Sequence, residues 1–350
     1  MAPFYKHGTG VQKVNQLMAD SLYSVLQNST NRNEKLILFS DSRQGAAKLA
    51  AGIELDHFRD LLRQLVYQST KDILVQNQKY TSFLERIDDL LRSEERELVR
   101  YFNEKRLDDI LERALDHDTT AVETLKEKLA EVSVEELSIP ITKILTQLGI
   151  CPAGPKPSFY NHNTLTWRDC YYRDIPSSEE LNTYQKNLQA ELSKEILTVL
   201  FPAPRRSFEG LGLGMVRHRN MPNDPKANTF IRMLGERHRL RGNDRASSGI
   251  PRDITHYFKM IGVDKHKLSE LKDKLINDGT LLADPLVLTG RNLLVNLLDL
   301  TEGQVWRCPQ CRTLHLHSNN GRCLNCTQHL PKTGNAARDE RMEDNYYYAM

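Results

Sequence analysis

Two pairs of cysteines near residue 315 constrain the fold of this chain more than any other feature. In WRCPQCRTLHLHSNNGRCLNCTQHL, Cys308 and Cys311 form one CxxC pair and Cys323 and Cys326 form a second, with eleven residues between the pairs. A tight turn presents both sulfurs of a CxxC pair to one ion, and a hairpin of this length brings two pairs together. The spacing predicts a closed structural zinc site with no coordination position left for catalysis. Four inert thiols are the alternative.

The other cysteines and the histidines inside the hairpin are interpreted differently. Four of the six cysteines fall within nineteen residues, which favours a metal site in a reducing compartment over a disulfide framework. Cys151 and Cys170 are expected to be reduced, incidental thiols. His315 and His317 alternate with leucines, so they are predicted to share one face of the hairpin strand instead of binding the metal.

The charge is uneven along a chain of ordinary soluble composition. The 350 residues are 27% charged and 39% hydrophobic, with a formal net charge of +2. Residues 85–136 contain 17 acidic and 9 basic side chains, a net of −8, whereas residues 205–245 contain 10 basic and 4 acidic ones, a net of +6. A basic segment can lie along a phosphate backbone, although exposed arginines are also common on solvated surfaces. The candidate phosphate contacts are Arg205, Arg206, Arg217, Arg219, Arg237, Arg239 and Arg241.

No stretch of the sequence predicts membrane association. The start, MAPFYKHGTG, lacks the apolar core of a signal peptide, and no apolar run approaches the roughly 18 residues of a membrane span. We therefore expect a cytoplasmic protein without a membrane partner.

The segment KLILFSDSRQGAAKLAAGIE, residues 35–54, predicts a strand, a turn and a helix. The apolar run Leu36–Phe39 suits a strand that is buried on both faces. Ser40, Asp41 or Ser42 can cap the helix that follows, and Arg43 is placed to add a forked cation to an anion site at the helix N-terminus. Helix capping alone is the competing interpretation.

The sequence after Glu54 predicts a mostly helical protein. Apolar residues keep helical spacing without a second strong strand before Pro140, so the acidic helical tract is expected to interrupt an α/β domain after its first strand. The predicted fold class is α+β, mostly α.

The middle of the chain is loop-rich. Phe159, Tyr160, Trp167, Tyr171 and Tyr172 are interleaved with Arg168 and Arg173. Such a pattern can stack on unpaired bases, although aromatic clusters more often pack in cores or interfaces. The glycines at 210, 212 and 214 favour a loop over a phosphate cradle.

Residues 228–300 are more regular. They predict helices over Phe230–Leu240, after Pro251 and over Lys267–Asn277, followed by a hairpin of the runs Leu281–Leu288 and Leu293–Leu300. Three helices and a hairpin resemble a winged-helix module, although the mixed charges of the third helix favour a packing role over a place in a nucleic-acid groove.

Two parts of the chain resemble large bacterial DEAD/DEAH-box helicases of superfamily two. The first part is the segment KLILFSDSRQGAAKLAAGIE with HFRDLLRQ after it, which looks like motif IV of the second RecA-like lobe. The second part is the four-cysteine module, which resembles the end of an insertion in that lobe. The tyrosine-rich segment EDNYYYAM after it resembles the return of the chain to the lobe. The resemblance covers about residues 8–66 and 300–350. It implies that Ser40, Asp41, Ser42, Arg43 and Gln44 lie near the nucleic-acid track or the cleft between lobes.

The resemblance also implies a domain order. Residues 1–66 would begin the RecA-like lobe, 67–150 would be the acidic insertion, and 151–227 a mixed loop-rich region. Residues 228–300 would be winged-helix-like, 301–331 a zinc ribbon, and 332–350 a tail leading back to the lobe.

The motor motifs themselves are missing from the 350 residues. There is no GxxxxGK[ST] loop, no DEAD or DEAH pair and no QRxGRxGR arginine motif. Phosphoryl transfer depends on those groups, so ATP and Mg²⁺ are expected only in a complete helicase. The resemblance implies the remaining helicase lobes and nucleic acid as partners, with DNA favoured over RNA. The sequence thus predicts an internal, catalytically incomplete piece of a helicase or translocase. The alternative is a stand-alone zinc-ribbon adaptor for nucleic acid or a protein.

Overall fold

The computed structural model describes residues 43–172, 178–201, 207–243, 245–299 and 301–337, with side chains from residue 51 onward. Helices dominate this part of the chain, and its strands form small antiparallel sheets, which confirms the α+β, mostly α class. The predicted strand Leu36–Phe39 lies outside the described residues. None of the described helices combines the length and the apolar character that crossing a membrane requires.

The described chain forms two compact units. One contains residues up to Gln64 and Ile144–Leu192, and the other contains Leu65–Lys143 and the residues from Ser193 onward. The division falls inside three helices, α1 (Arg43–Glu85), α5 (Ser138–Gln147) and α6 (Glu179–Leu200).

The first unit has a small core under a short hairpin. Strand β1 (Asn161–His162) pairs antiparallel with β2 (Leu165–Thr166), and a 3₁₀ turn follows at once. Trp167, Tyr184 and Leu188 pack together with Cys151 and Ala153 in its core.

The second unit begins with a helical tract, residues 77–129. It consists of the end of α1 with α2 (Arg92–Glu104), α3 (Asp108–Leu115) and α4 (Thr119–Leu129). These helices are amphipathic, and their apolar faces meet in one continuous core, as expected for helices of globular proteins. Asp118 caps α4 by accepting hydrogen bonds from the backbone N–H groups of Thr120 and Ala121.

The rest of the second unit is built around α7 (Pro225–Glu236). Asp224 caps it and Pro225 occupies its first turn, where the missing proline N–H has no cost. Every residue from Ala227 to Glu236 is buried. A Cβ at Gly235 would lie 2.3 Å from the Phe201 ring, so only glycine allows this close approach.

Two further helices follow, α8 (Arg252–Met260) and α9 (Lys265–Asn277). The three helices that the sequence predicted here are confirmed, although the first begins at Pro225 and ends at Glu236, before the predicted bounds of Phe230 and Leu240.

The predicted hairpin between the two leucine-rich runs is wrong. The turn lies inside the first run, where β4 (Leu281–Ala283) pairs with β5 (Leu286–Leu288) around Asp284 and Pro285. The second run forms β6 (Leu293–Leu297), which pairs antiparallel with β3 (Gly214–His218). The first run contains the turn residues Asp284 and Pro285, which divide it into two strands. The glycines before β3 are typical of a loop, so the sequence did not predict that strand.

A three-stranded sheet carries the cysteine module, residues 301–337. Its central strand β7 (Gln304–Arg307) pairs on one side with β8 (Leu314–His315) and on the other with β9 (Asn335–Ala336). Val305, Leu314, Leu316 and Ala337 form its small apolar cluster.

Candidate metal centre

The first CxxC pair is held in a tight turn at the end of β7. The backbone N–H of Arg312 donates to the Cys308 carbonyl at 3.0 Å, and the N–H of Cys308 donates to the Thr313 carbonyl at 3.0 Å. Arg312 has φ 61°, so the chain reverses in the left-handed region directly after Cys311. This turn directs both sulfurs of the pair to the same side.

The second CxxC pair repeats the first turn bond for bond. The N–H of Thr327 donates to the Cys323 carbonyl at 3.0 Å, and the N–H of Cys323 donates to the Gln328 carbonyl at 2.8 Å. Thr327 also has φ 61°. Two equivalent turns therefore face each other, each contributing one buried and one partly exposed cysteine.

The four sulfurs form one compact cluster. All lie within 4.8 Å of one another. The Cys308 and Cys326 Sγ atoms are 3.4 Å apart, and those of Cys311 and Cys323 are 3.5 Å apart. Four sulfurs at about 2.3 Å from a tetrahedral ion lie about 3.8 Å from one another, so the observed spacing fits one metal ion with four sulfur ligands.

The protein environment changes the acidity of these thiols in opposite directions. At Cys311 burial opposes ionisation, but hydrogen bonds from Thr313 and the neighbouring thiols lower the pKa to about 6. At Cys323 burial, together with the adjacent Cys311, raises the pKa. A bound metal ion requires thiolates and supplies the charge that stabilises them, so metal binding at this cluster releases protons.

His315 lies beside the cluster and not in it. Its side chain is fully buried, with Nε2 3.3 Å from the Cys323 Sγ and Nδ1 3.0 Å from the Arg232 Nη1. His317 is oriented by its neighbours on the same side: its Nδ1 accepts the Asn319 N–H at 3.3 Å, and its Nε2 lies 4.0 Å from the Glu209 Oε1.

A buried ionic network surrounds Arg232, which is only 4% exposed. Its Nε donates to the Glu236 Oε1 at 2.9 Å, and its Nη1 donates to Glu209. The same Glu209 oxygen accepts the backbone N–H of Leu316 at 2.8 Å. This network was not predicted from the sequence. The signal was available, because Arg232 and Glu236 have i,i+4 spacing on a helix that is otherwise mostly apolar.

Three of the arginines predicted to contact phosphate are only partly exposed. Arg217 is half-buried on β3, where burial lowers its pKa. The Nε of Arg219 lies 3.2 Å from the Glu131 Oε2, and that of Arg237 donates to the Asp253 Oδ2 at 2.6 Å. The guanidinium groups of Arg219 and Arg237 are therefore partly exposed but already paired with carboxylates of the chain.

The remaining predicted arginines differ among themselves. Arg239 donates to Ser247 Oγ at 3.0 Å. Arg241 is exposed, and no ion pair to a described residue involves its side chain. Arg205 and Arg206 lie outside the described residues.

The motif IV residues are only partly within the described chain. Arg43 and Gln44 are in the first turn described for α1, and their side chains are not described. Ser40, Asp41 and Ser42 lie outside the described residues.

Three aromatic residues of the loop-rich region, Tyr160, Trp167 and Tyr172, line an open cavity of about 1050 Å³ in the first unit. Trp167 is buried in the core and the Arg168 guanidinium lies 5.4 Å from its ring centroid, while Tyr160 and Tyr172 are exposed at the rim. The cluster therefore contributes to the packing of this unit.

The sulfur cluster is the described site whose chemistry is best defined. Catalytic metal sites keep a coordination position open for water or substrate, whereas four sulfurs complete a tetrahedral shell. This arrangement can hold an ion and fix the two turns, but it offers no position at which the ion would bind a substrate. No protein-family model, curated protein or solved structure matches the chain.

Proposed function

We propose that this chain is a zinc-stabilised, nucleic-acid-binding part of an ATP-dependent helicase or translocase, with DNA as its polymer. The observation that carries the zinc part of the proposal is the closed cluster of four cysteine sulfurs, whereas the helicase part rests on the sequence resemblance. A tetrahedral set of four thiolates is typical of structural zinc sites, and a site of this kind holds a module together without taking part in chemistry.

Two further observations support the helicase context. The segment 35–66 and the cysteine module with its tyrosine-rich continuation resemble parts of superfamily-two helicases. In addition, α7, α8 and α9 are followed by the β4–β5 hairpin, an element order typical of winged-helix modules. In this proposal, residues 40–44 belong to motif IV of a RecA-like lobe.

Nucleic-acid binding would depend on the exposed part of the basic segment. Arg241 and Arg245 are exposed in the loop between α7 and α8. Fluorescence anisotropy with labelled single-stranded and duplex DNA and RNA, at several salt concentrations, measures this binding. Each lost phosphate contact is expected to reduce the slope of log K against log salt by about one, with little dependence on base sequence.

A pair of charge reversals tests which surface binds. Replacing Arg241 and Arg245 with Glu should weaken binding strongly. Replacing Arg92 and Arg96 with Glu, two exposed positions on α2 in the acidic tract, makes the same change in net charge and should weaken it much less. Equal effects of the two double variants would show that the basic loop is not the contact surface.

ATP hydrolysis is expected only when the motor motifs are present. The 350-residue chain should show no ATPase stimulated by nucleic acid, because it lacks the phosphate loop, the Mg²⁺ carboxylates and the charge-stabilising arginine. A longer protein that contains these motifs should show it. Robust turnover by this chain alone would contradict the proposal.

A zinc-ribbon adaptor for a protein partner is the second candidate. The observation that favours it is the engagement of Arg219 and Arg237 in ion pairs, and of Arg239 in hydrogen bonds, within the chain. In that case the protein would contain zinc but would bind neither DNA nor RNA at physiological salt.

A further inference from the structure

Several side chains contact the sulfur cluster without belonging to it, and the role assigned to them here rests on the proposed zinc centre. His315 connects the cluster to Arg232 on α7. It is fully buried on β8, with one ring nitrogen toward a ligand sulfur and the other toward a guanidinium group.

The chemistry of Arg232 decides which nitrogen of His315 carries the proton. A guanidinium group has only donors, so the contact of 3.0 Å between Arg232 Nη1 and His315 Nδ1 requires Nδ1 to accept. A neutral imidazole with an accepting Nδ1 carries its proton on Nε2. The Nε2–H group of His315 then faces the Cys323 sulfur, and the distance from Nε2 to Sγ is 3.3 Å.

Arg232 is itself held in place on several sides. Its Nε donates to Glu236, its Nη1 also donates to Glu209, and its Nη2 lies 3.4 Å from the Leu314 carbonyl oxygen. A buried guanidinium group with these partners cannot rotate away without leaving a carboxylate unpaired, which is costly. Arg232 therefore fixes both the position and the tautomer of His315.

A donor at this position matters because of the charge of the centre. Four thiolates around one Zn²⁺ have a net charge of −2, and Cys323 is one of the two buried ligands. Its sulfur is also 3.4 Å from the backbone N–H of Asn325. Hydrogen bonds to a ligand orient it and spread the excess negative charge, as outer-shell partners do in other metal sites.

We propose that His315 is a positioning residue of the metal centre, which donates its Nε2–H to the Cys323 thiolate, and that Arg232 on α7 fixes it in this tautomer. The side chains of Cys323, His315 and Arg232 thereby connect the metal centre to α7. Neither residue binds the metal.

The first test measures zinc affinity of the full chain by competition with a chromophoric chelator. His315→Leu removes the donor and should weaken zinc binding about 10–100-fold, as is usual for loss of an outer-shell partner. His315→Gln keeps an N–H donor near the Nε2 position and should lose less affinity. His329→Leu, at an exposed position of the same module, is the matched control and should not change the affinity.

Cobalt gives a second measurement on the same variants. With Co²⁺ in place of zinc, the sulfur-to-metal charge-transfer bands should shift in His315→Leu and not in His329→Leu, because the hydrogen bond changes the electron density on Cys323. An unchanged affinity and an unchanged cobalt spectrum in His315→Leu would overturn the role of His315, while zinc in the wild type would still support the metal centre.

The tautomer can be tested without any variant, which covers the case in which His315→Leu does not fold. Long-range ¹H–¹⁵N correlation spectra of the zinc-loaded protein should show His315 protonated at Nε2 and not at Nδ1. The opposite tautomer, or a doubly protonated ring, would overturn the inference. A wild-type protein that binds neither zinc nor cobalt would instead overturn both the metal proposal and the inference that rests on it.

Discussion

The helical tract and the cysteine module differ in what holds them together. In the tract, α2, α3 and α4 cover one apolar core with the end of α1, and Leu98, Phe102, Leu111 and Leu125 are fully buried in it. In the module, the apolar cluster of Val305, Leu314, Leu316 and Ala337 is small, and a second cluster consists of the buried Cys308, Cys323 and Leu330 with the partly buried Cys311 and Cys326 packed against it.

Their buried polar groups differ in the same way. The tract has Asn77, whose Nδ2 donates to the Leu129 carbonyl at 2.7 Å and whose Oδ1 accepts from the Tyr101 hydroxyl. The module instead contains the buried His315, which contacts the buried Arg232, and Arg232 is in turn paired with the buried Glu209 and Glu236. The apolar area buried in a module of this size does not offset the conformational entropy lost on folding. A metal ion and polar contacts therefore have to supply the remaining stabilising free energy.

The largest contrast is expected from a cysteine variant. Cys323→Ser removes one ligand and should abolish tight metal binding, because the metal supplies most of the folding free energy of a small sulfur module. Hydrogen exchange should then rise throughout residues 304–337 and remain unchanged in the helical tract. Cys170→Ser removes a thiol outside the cluster and should alter neither region. Loss of protection in both regions would remove the distinction between them.

The second largest effect is expected at Arg232. Arg232→Met leaves Glu209 and Glu236 buried without their partner, which should lower the free energy of unfolding by about 3–5 kcal/mol. Urea unfolding followed by the fluorescence of Trp306, in a Trp167→Phe background, measures this at the module. Arg241→Met, an exposed counterpart, should stay within about 0.5 kcal/mol of the wild type. A similarly small change in Arg232→Met would show that the buried network contributes little to stability.

The apolar core of the tract gives the complementary prediction. Leu98→Ala should destabilise the tract by about 2–5 kcal/mol, through lost burial and the cavity that remains. Zinc affinity should not change. Leu91→Ala, at the exposed residue directly before α2, is the control and should have little effect on stability. A fall in zinc affinity in Leu98→Ala would mean that the two regions fold as one.

The smallest of these effects is expected at the N-terminus of α7. The Asp224 carboxylate accepts the backbone N–H groups of Lys226 and Ala227, and Asp224→Ala should cost about 1 kcal/mol. Asp224→Asn keeps an oxygen acceptor and should cost less. Thermal unfolding of the two variants distinguishes a capping hydrogen bond from a general effect of charge. Both variants remove the negative charge, so a charge effect would lower the stability equally in Asp224→Ala and Asp224→Asn.

The sequence was informative where a pattern is local. The CxxC spacing predicted the sulfur cluster, and the period of the apolar residues predicted the helices of the tract and α7 to α9. Pairing between distant strands was not local, and the partner of β6 was therefore assigned wrongly. Nothing in LLVNL indicates that it pairs with GMVRH, 75 or more residues earlier in the chain.

The supporting residues of the metal centre were missed for the same reason. Glu209, Arg232 and His315 come from three distant segments, and the charge count placed Arg232 among the basic residues of a solvated segment. Only the fold shows that Arg232 is buried and contacts the histidine beside the cluster. The alternation of His315 and His317 with leucines predicted a strand that contains both histidines, but the strand ends at His315 and His317 lies beyond it. The alternation also did not show which contacts the rings make.

The most direct test of the account is the metal content of the purified 350-residue chain. Elemental mass spectrometry after gel filtration should find one zinc per chain, and chelation of that zinc should expose residues 304–337 to proteolysis while the helical tract stays resistant. A chain that contains no zinc, and whose cysteine module resists proteolysis in the presence of a chelator, would contradict it.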